Sequence, residues 1–405
     1  GMNATTYFYV RPTDSLFIRG NLAFGDSGEH GTSQMPPPPS LFAGAFRSAI
    51  LGQNAEHMAQ FLACQPLADE ARSRCLGTYA KPGAFRISWL SLAGQANGQA
   101  MGQTAPEAVS PLPADLIVLD KAFAPLRPQA LGAGVSCSGD LPMRATLFSA
   151  KQEKPSTGIY LRETGLQDHL NGKLPGDAAQ AMAGHLFLRD PRLGIGLNGD
   201  SRTAEEGLIY TTEGYSFSPS KDDENGDGKV LPFASTGFLV GMEGVVGVLP
   251  DQGHLRLGGD GRSATYQRVE FKPPIADKLA ANKRFRLVLQ SPALFRQGWL
   301  PDGVVQQDGF YKLQGAGFSA RLACAAIARR EVVSGWDLHG WKPKPAQAAA
   351  PVGSVYWFDE FEGDAGKLAA WAQGGLWPEN LDAMDTTQKM RRAEGYNLAL
   401  LGVWN

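Results

Sequence analysis

The amino-acid sequence predicts an α+β protein whose sheets are antiparallel. Segments rich in aromatic and β-branched residues outnumber segments with helical spacing, and the two kinds follow one another in mixed order. Glycine is unusually frequent, with 49 residues in 405, where an average usage of ~7% would give roughly 28. Because these glycines fall between the strand patterns without a repeat, we expect glycine-rich loops rather than a collagen-like or solenoid structure.

The first patterned segments are strands. Residues 5–12 are aromatic and β-branched and end at Pro12, and residues 12–20 continue as a strand and turn. Residues 24–35 have the composition of a flexible loop.

A helix follows the proline run at residues 36–39. Ser40 is a natural N-cap, and apolar residues recur at helical spacing through residue 50. The opposite face consists of small residues and one arginine: Ser40, Ala43, Gly44, Arg47 and Ser48. An anion could bind at this positive end of the helix dipole. Alternatively, the small residues only allow close packing on a sheet.

The rest of the chain predicts strands and one further helix. Strand patterns occupy residues 84–94, 114–120, 183–199, 235–249, 284–295, 354–361 and 396–404, and residues 205–218 predict a pair of strands. Residues 365–373 predict a short helix. Residues 342–353 are typical of a linker because they are rich in proline and alanine.

Composition and charge exclude several classes of protein. The chain is 43% hydrophobic and 19% charged, which predicts a packed protein rather than a disordered one. The formal net charge of −2 argues against non-specific coating of nucleic acid but permits a local basic groove. No apolar run approaches the ~18 residues that cross a bilayer, so we expect a cytoplasmic protein with no membrane partner.

Cofactor and metal motifs are weak. The four cysteines form no CxxC pair and the six histidines show no metal-ligand spacing, so we expect neither a metal nor a cofactor. Residues 194–199 read GIGLNG, but a strand pattern follows them where a dinucleotide site requires a helix. A tight turn remains possible, as does a glycine loop that touches a phosphate backbone, with Arg189, Arg192 and Arg202 around it.

No catalytic constellation is recognisable, which favours a binding role. His30 lies in a glycine-rich loop where a general base could act, although an ordinary loop histidine is the simpler interpretation. Residues 332–345 combine tryptophans with lysines, a combination that suits base stacking and phosphate contact. Alternatively, Trp336 is a core residue and Lys342 lies in a solvated linker.

Six segments in a fixed order resemble those of a known family. They are RPTDSLFIRG (11–20), PPPPSLFAGAFRSAIL (36–51), RLGIGLN with EEGLIYTTEGYSF, LQSPALFRQGWLP (289–301), VSGWDLHGWKPKP (333–345) and GYNLALLGVW (395–404). The set is similar to the third subunit of the Cmr effector, the type III-B CRISPR interference complex, in the RAMP superfamily. The resemblance extends from residue 11 to residue 404.

The resemblance implies two ferredoxin-like (RRM-like) domains, which we place at residues 1–200 and 201–405, and which could interleave. It implies a non-catalytic subunit that holds the 5′ tag of the CRISPR RNA. The partners implied are the large Cas10-type subunit and neighbouring RAMP subunits. The HD and GGDD motifs of that large subunit are absent, since residues 168–169 read Asp-His and residues 258–261 read GGDG.

Candidate RNA contacts follow from residue chemistry within this resemblance. The candidates for phosphate contact are basic residues: Arg19, Arg47, Arg192, Arg202, Arg262 and Lys342. Gly194 and Gly196 would allow close backbone approach, and Ser40 lies at the helix start. The alternative function is a metal-independent endoribonuclease of the CRISPR-RNA-processing RAMP type, with His30 as its base.

Overall fold

The computed structural model describes residues 4–405 except for 14, 20–34, 53, 97–104, 132–140, 148–152, 198–203, 218–231, 259–261, 328–330, 334–335, 338–341 and 344–346.

The strands of the described chain, in order, are β1 (Thr5–Pro12), β2 (Leu16–Arg19), β3 (Arg86–Ala96), β4 (Glu107–Pro111), β5 (Leu116–Leu119), β6 (Ala122–Ala130), β7 (Met143–Leu147), β8 (Ile159–Arg162), β9 (Gln180–Met182), β10 (Leu188–Leu197), β11 (Ala204–Ser216), β12 (Phe233–Glu243), β13 (Gln252–Leu257), β14 (Arg262–Val269), β15 (Phe285–Leu289), β16 (Val304–Gln307), β17 (Phe310–Gly315), β18 (Phe318–Ala326), β19 (Glu331–Val333), β20 (Trp336–Asp337), β21 (Lys342–Pro343), β22 (Gln347–Ala349), β23 (Val355–Gly363) and β24 (Ala399–Gly402). The α-helices are α1 (Pro39–Leu51), α2 (Ala55–Leu62), α3 (Glu70–Leu76), α4 (Glu163–Leu170), α5 (Ala365–Gln373) and α6 (Thr386–Glu394).

The larger sheet has eight strands in the order β13-β14-β1-β12-β3-β4-β8-β9. Its ladders are antiparallel. Successive residues of a strand point to opposite faces, and both faces of this sheet are buried at its centre. In β1, Phe8 and Val10 join one core, whereas Tyr9 joins a second core on the other face.

The second sheet has six strands in the order β16-β17-β18-β23-β15-β24, again with antiparallel ladders. In β23, Val355 and Trp357 face one core while Tyr356 and Phe358 face another. Four smaller sheets complete the described pairings: β10-β11-β2, β5-β6-β7, β19-β22 and β20-β21.

The two large sheets pack face to face through a shared core. Tyr9 and Trp89 of the eight-stranded sheet meet Val288 and Trp357 of the six-stranded sheet in this core, to which α4 also contributes. The outer face of the eight-stranded sheet is covered by α1, and the outer face of the six-stranded sheet by α5. The layers therefore run helix, sheet, sheet, helix.

The predicted class, mixed α and β with mostly antiparallel sheets and few helices, is confirmed. The predicted strand at residues 5–12 and the helix at 365–373 match β1 and α5. Two details are wrong. Within the segment predicted as a pair of strands, residues 205–216 belong to one long strand, β11 (Ala204–Ser216). The segment predicted as a linker contains β22 and the buried residues Ala349 and Ala350, because small apolar side chains fit between packed elements.

The domain boundary at residues 200 and 201 stays a prediction. Strands β12 to β14, which follow that boundary, pair with β1 and β3 in the eight-stranded sheet. The six-stranded sheet uses residues from β15 onward.

Candidate nucleic-acid interface

Two of the predicted phosphate contacts lie on one line of the β10-β11-β2 sheet. Thr212 of β11 is the ladder partner of Arg19 in β2 on one side and of Arg192 in β10 on the other. Neighbouring strands are ~4.8 Å apart, so the backbones of the two arginines are separated by about 10 Å. The structure thus brings together two residues that are far apart in the sequence.

Arg262 lies beside the same small sheet. Its guanidinium carbon is 4.9 Å from the ring centroid of Phe17, which precedes Arg19 by two residues in β2. Arg262 is exposed, whereas Phe17 is buried. This stacking over an aromatic face keeps the charge at the surface.

Gly194 and Gly196 lie in a strand, so the predicted glycine loop is wrong at these positions. β10 extends to Leu197 and pairs with β11, with an irregularity between Ile195 and Leu197. Alternating apolar residues in RLGIGL sustain the strand despite the glycines. β10 forms one edge of its sheet, and an edge strand presents backbone donors and acceptors on its outer side.

Ser40 is not the N-cap of α1. The helix begins at Pro39 and its N-cap is Pro38, which forms no side-chain capping bond. Proline suits the first helical position because its φ is already helical and no N–H is lost there. The Ser40 hydroxyl instead lies 3.1 Å from the Tyr396 hydroxyl, so the start of α1 is tied to the residues that follow α6.

Arg47 lies partly buried on α1. Its guanidinium carbon is 5.4 Å from the centroid of Phe85. Burial lowers the pKa of Arg47, and the carboxylate of Glu394 opposes that shift. A buried cation of this kind requires nearby negative charge.

For the small-residue face of α1, the sequence left open either close packing on a sheet or an open surface that binds an anion. Ala43 is fully buried, as close packing predicts. Gly44 and Ser48 are exposed, and a Cβ added at Gly44 would meet nothing within 4 Å. Close packing therefore accounts for Ala43, while Gly44 leaves an open surface.

The remaining candidates are placed less completely. Lys342 pairs with Asp337 in the short β20-β21 ladder. Arg202 and His30 lie outside the described residues, so their predicted roles stay predictions.

Sequence reasoning missed a buried charged group between the two sheets. His169 of α4 donates from Nε2 to Oδ1 of Asp115 at 2.6 Å, and Nη1 of Arg286 in β15 donates to Oδ2 at 2.7 Å. Burial lowers the pKa of His169. Burial raises the pKa of Asp115, but its interactions with His169 and Arg286 outweigh burial and hold that pKa at about 2. The three side chains are nearly inaccessible, so they fasten elements together rather than meet a substrate.

Other chemistry is sparse within the described ranges. They contain no group of three or more histidine, cysteine or acidic side chains placed to hold a metal ion. None of the helices described is long and apolar enough to cross a membrane.

Comparison with known families decides the identity. The sequence model of Cas_Cmr3, described as a CRISPR-associated protein, matches residues 8–404. This chain belongs to the Cas_Cmr3 family. The resemblance stated from the sequence is therefore confirmed, and the protein is a Cmr-type subunit.

Solved structures and curated proteins add little to the Cas_Cmr3 assignment. A cryo-EM structure of the type III-B Cmr-beta complex bound to cognate target RNA contains a chain that is 14% identical, with a TM-score of 0.45 and coverage of 97% of this chain and 96% of that chain. A second, bound to cognate target RNA and AMPPnP, contains a chain that is 12% identical, with a TM-score of 0.45 and coverage of 97% and 98%. No curated protein matches the chain.

Proposed function

We propose that this Cas_Cmr3-family chain is a non-catalytic RNA-binding and scaffolding subunit of a type III-B CRISPR effector complex. In this role it holds the 5′ tag of the CRISPR RNA and contacts the large Cas10-type subunit in antiviral defence. The single observation that carries the RNA-binding role is the shared partnership of Arg19 and Arg192 with Thr212, beside which Arg262 stacks on Phe17. Arginines at neighbouring ladder positions of one small sheet suit successive phosphates of a single strand.

The sheet topology supports a pair of ferredoxin-like cores. A ferredoxin-like sheet places its fourth strand beside the first, then the third and the second, and a helix joins strands one and two. In the eight-stranded sheet, β14, β1, β12 and β3 follow this order, and α1 lies between β1 and β3. β12 separates β1 from β3, which makes these two strands parallel, as in a split β-α-β unit.

The six-stranded sheet repeats this order with β24, β15, β23 and β18. Here the helix between the third and fourth strands is present as α5, followed by α6. The connection from β15 to β18 instead carries the β16-β17 hairpin. Each proposed core thus retains a different helix of the ferredoxin-like pattern.

An assembly experiment tests the proposed role. The chain would be co-expressed with the large subunit, the neighbouring RAMP subunits and a CRISPR RNA. We expect one stable complex in which ultraviolet cross-linking joins this chain to the tag. A chain that stays monomeric and leaves the RNA unbound would refute the role.

The basic residues of the small sheet allow a sharper measurement. If Arg19 and Arg192 each contact a phosphate, Arg19→Gln and Arg192→Gln should each reduce the slope of log affinity for RNA against log salt concentration by ~1. Arg268→Gln is a matched control, because Arg268 is exposed and lies in the eight-stranded sheet, outside β10-β11-β2, with its Nη1 3.6 Å from Oδ1 of Asp251. Equal slopes for all three variants and the wild type would remove this sheet as the RNA contact.

The endoribonuclease alternative depends on His30 and stays a prediction. Incubation of repeat RNA with the protein in EDTA would test it, since a defined cut that His30→Ala abolishes is the expected signature. Intact RNA at high protein concentration would eliminate it.

A further inference from the structure

A cleft of about 520 Å³ lies beside β22, in the segment that the sequence predicted as a linker. We call it the β22 cleft. Its lining comes from four residues of the segment 294–298, from Gln347 and Ala348 of β22, and from the start of α6. Phe295 and Trp377 add aromatic surface, which is enriched where proteins bind one another. The volume lies within the range of ordinary ligand pockets.

The β22 cleft opens where a short β ladder ends. Ala293 and Ala350 exchange two backbone hydrogen bonds of 2.9 Å, in which each N–H donates to the other carbonyl. The next antiparallel partners along this ladder would be Phe295 and Ala348. The carbonyl of Phe295 instead accepts from the N–H of Gly298 at 3.1 Å, so this segment turns back on itself. The two segments therefore separate, and both line the cleft.

Ala348 presents its backbone to the β22 cleft. The N–H and C=O groups of successive residues in an antiparallel strand point to opposite sides. Those of Ala350 point to Ala293, so those of Ala348 point the same way, while Ala349 pairs with Glu331 of β19 on the other side. Ala348 is also exposed. Its backbone groups can therefore receive an added strand.

Two side chains that line the β22 cleft have buried polar atoms without a hydrogen-bond partner among the described residues. Arg391 is 3% exposed, and its Nε and Nη1 donors are both unsatisfied. Gln347 contributes an unsatisfied acceptor, Oε1. Such atoms destabilise the folded protein until a partner is supplied. A complementary occupant must therefore bring hydrogen-bond acceptors and at least one donor.

The charged groups around the β22 cleft have opposite charges beside them. Nη1 of Arg391 lies 3.7 Å from Oε2 of Glu394. Burial raises the pKa of Asp302, and the positive charge of Arg296 opposes that shift, so these two groups are also neighbours. The carboxylate of Asp385 accepts a backbone N–H as the N-cap of α6. Arginines with carboxylates beside them attract a polyanion such as RNA weakly, so this site suits an uncharged occupant.

We propose that the β22 cleft binds an extended, uncharged peptide segment of a neighbouring subunit of the effector complex. The segment adds to β22 as a strand through Ala348, one of its carbonyls accepts from Arg391, and one of its N–H groups donates to Gln347. A peptide backbone repeats its donors and acceptors every ~6.8 Å along a strand, whereas a phosphodiester backbone carries no N–H. This inference rests on the proposed function and adds a protein contact to the proposed RNA contacts.

Ala348→Pro tests the added strand. The full-length chain, as wild type or variant, would be titrated into the other subunits assembled on a CRISPR RNA. Proline removes the N–H that the added strand requires, so we expect the affinity to fall about tenfold. Ala348→Val keeps that N–H and should retain the wild-type affinity. Both variants should keep the wild-type melting temperature, because Ala348 is exposed and its N–H points away from β19.

Amide hydrogen exchange gives an independent measurement on the wild type. The amide of Ala348 should exchange quickly in the free chain and at least tenfold more slowly in the assembled complex. A short oligouridylate added to the free chain should leave this rate unchanged. If Ala348→Pro lowers the melting temperature, the exchange rate in the wild-type complex decides the matter alone.

The outcomes distinguish this inference from the proposed function. Wild-type affinity of a stably folded Ala348→Pro, or an unchanged exchange rate on assembly, would refute the inference and leave the proposed function standing. Slower exchange at Ala348 with oligouridylate alone would mean that the cleft binds nucleic acid, which also refutes the inference. A wild type that neither assembles with other subunits nor binds RNA would refute both.

Discussion

At the scale of single residues, the group that joins the two sheets has a defined protonation state. Donation from Nε2 of His169 to Asp115 fixes the neutral tautomer with its proton on Nε2. Its Nδ1 then accepts no bond, which costs less than an unpaired N–H would. Protonating Nδ1 would place a second positive charge beside Arg286 in a buried position.

This arrangement predicts a pH-dependent stability. The pKa of His169 is lower in the folded state than in the unfolded state, so its contribution is complete above pH ~6.5 and declines as the pH falls below that value. Between pH 7 and pH 5 we therefore expect the free energy of unfolding to fall, because the unfolded chain takes up a proton that the buried imidazole does not. The contribution of Asp115, with its pKa lowered to about 2, is retained in this window and is lost only below pH ~4.

Urea unfolding at the two pH values measures the effect. His169→Gln should flatten the dependence between pH 7 and pH 5, although the variant is less stable at both values. His254→Gln serves as the control, because His254 is exposed on β13. The same pH dependence in wild type and His169→Gln would contradict this account.

The sequence identified some of the candidate site residues but not how they are grouped. It indicated Arg19 and Arg192 separately, but their common partner Thr212 depends on strand register, which no local pattern encodes. The arginines of α6 were missed, although Asp385 and Gln388 form a capping box that marks the helix start in the sequence. Asp115, His169 and Arg286 meet only through tertiary packing, so nothing local could have grouped them.

At the scale of elements, α1 is a helix that the sequence predicted correctly although it predicted the wrong N-cap residue. The apolar spacing predicted the buried stripe of Phe42, Phe46 and Ile50, which the structure confirms. The predicted N-cap, Ser40, lies two residues beyond the observed N-cap, Pro38, because proline at the first helical position replaces side-chain capping. β10 differed from the predicted glycine loop because the alternation of apolar residues with glycines favoured a strand over the turn that glycine prefers.

Two glycines in different elements should respond oppositely to alanine. Gly44 lies in the exposed interior of α1 with open space around it, so Gly44→Ala should stabilise the protein by about 0.5–1 kcal/mol. Gly94 lies in β3, where an added Cβ would clash with the Phe233 ring. Gly94→Ala should therefore destabilise the protein by about 1–3 kcal/mol through overpacking.

Thermal and urea unfolding of the two variants provide the comparison. Since the substitution is the same in both, the local packing alone accounts for a difference in sign. Destabilisation by Gly44→Ala would mean that the surface of α1 is not open as described.

At the scale of the whole molecule, the shared core makes the two large sheets one cooperative unit. Trp89 and Trp357 belong to opposite sheets and lie in the same core. The sequence predicted antiparallel sheets and many of their strands, but it could not predict that strands after residue 232 return to the first sheet. Long-range pairing is set by the total burial that it achieves, and no short segment records that quantity.

Leu239→Ala tests this cooperativity. Leu239 is fully buried in β12 and faces the shared core, so its truncation should cost about 2–5 kcal/mol. Urea unfolding followed by circular dichroism and by tryptophan fluorescence should shift together in one transition. Two separated transitions, with only one displaced by the substitution, would show that the sheets unfold independently.

The central position of β11 has a kinetic consequence. Its neighbours β2 and β10 lie far apart in the sequence, and each pairs with β11 on a different side. A polynucleotide that spans both arginines would hold the two flanking strands against the middle one, so both would have to open in the same event. Amide hydrogens of β2 and β10 should then exchange with solvent at slower and matched rates once the strand is bound.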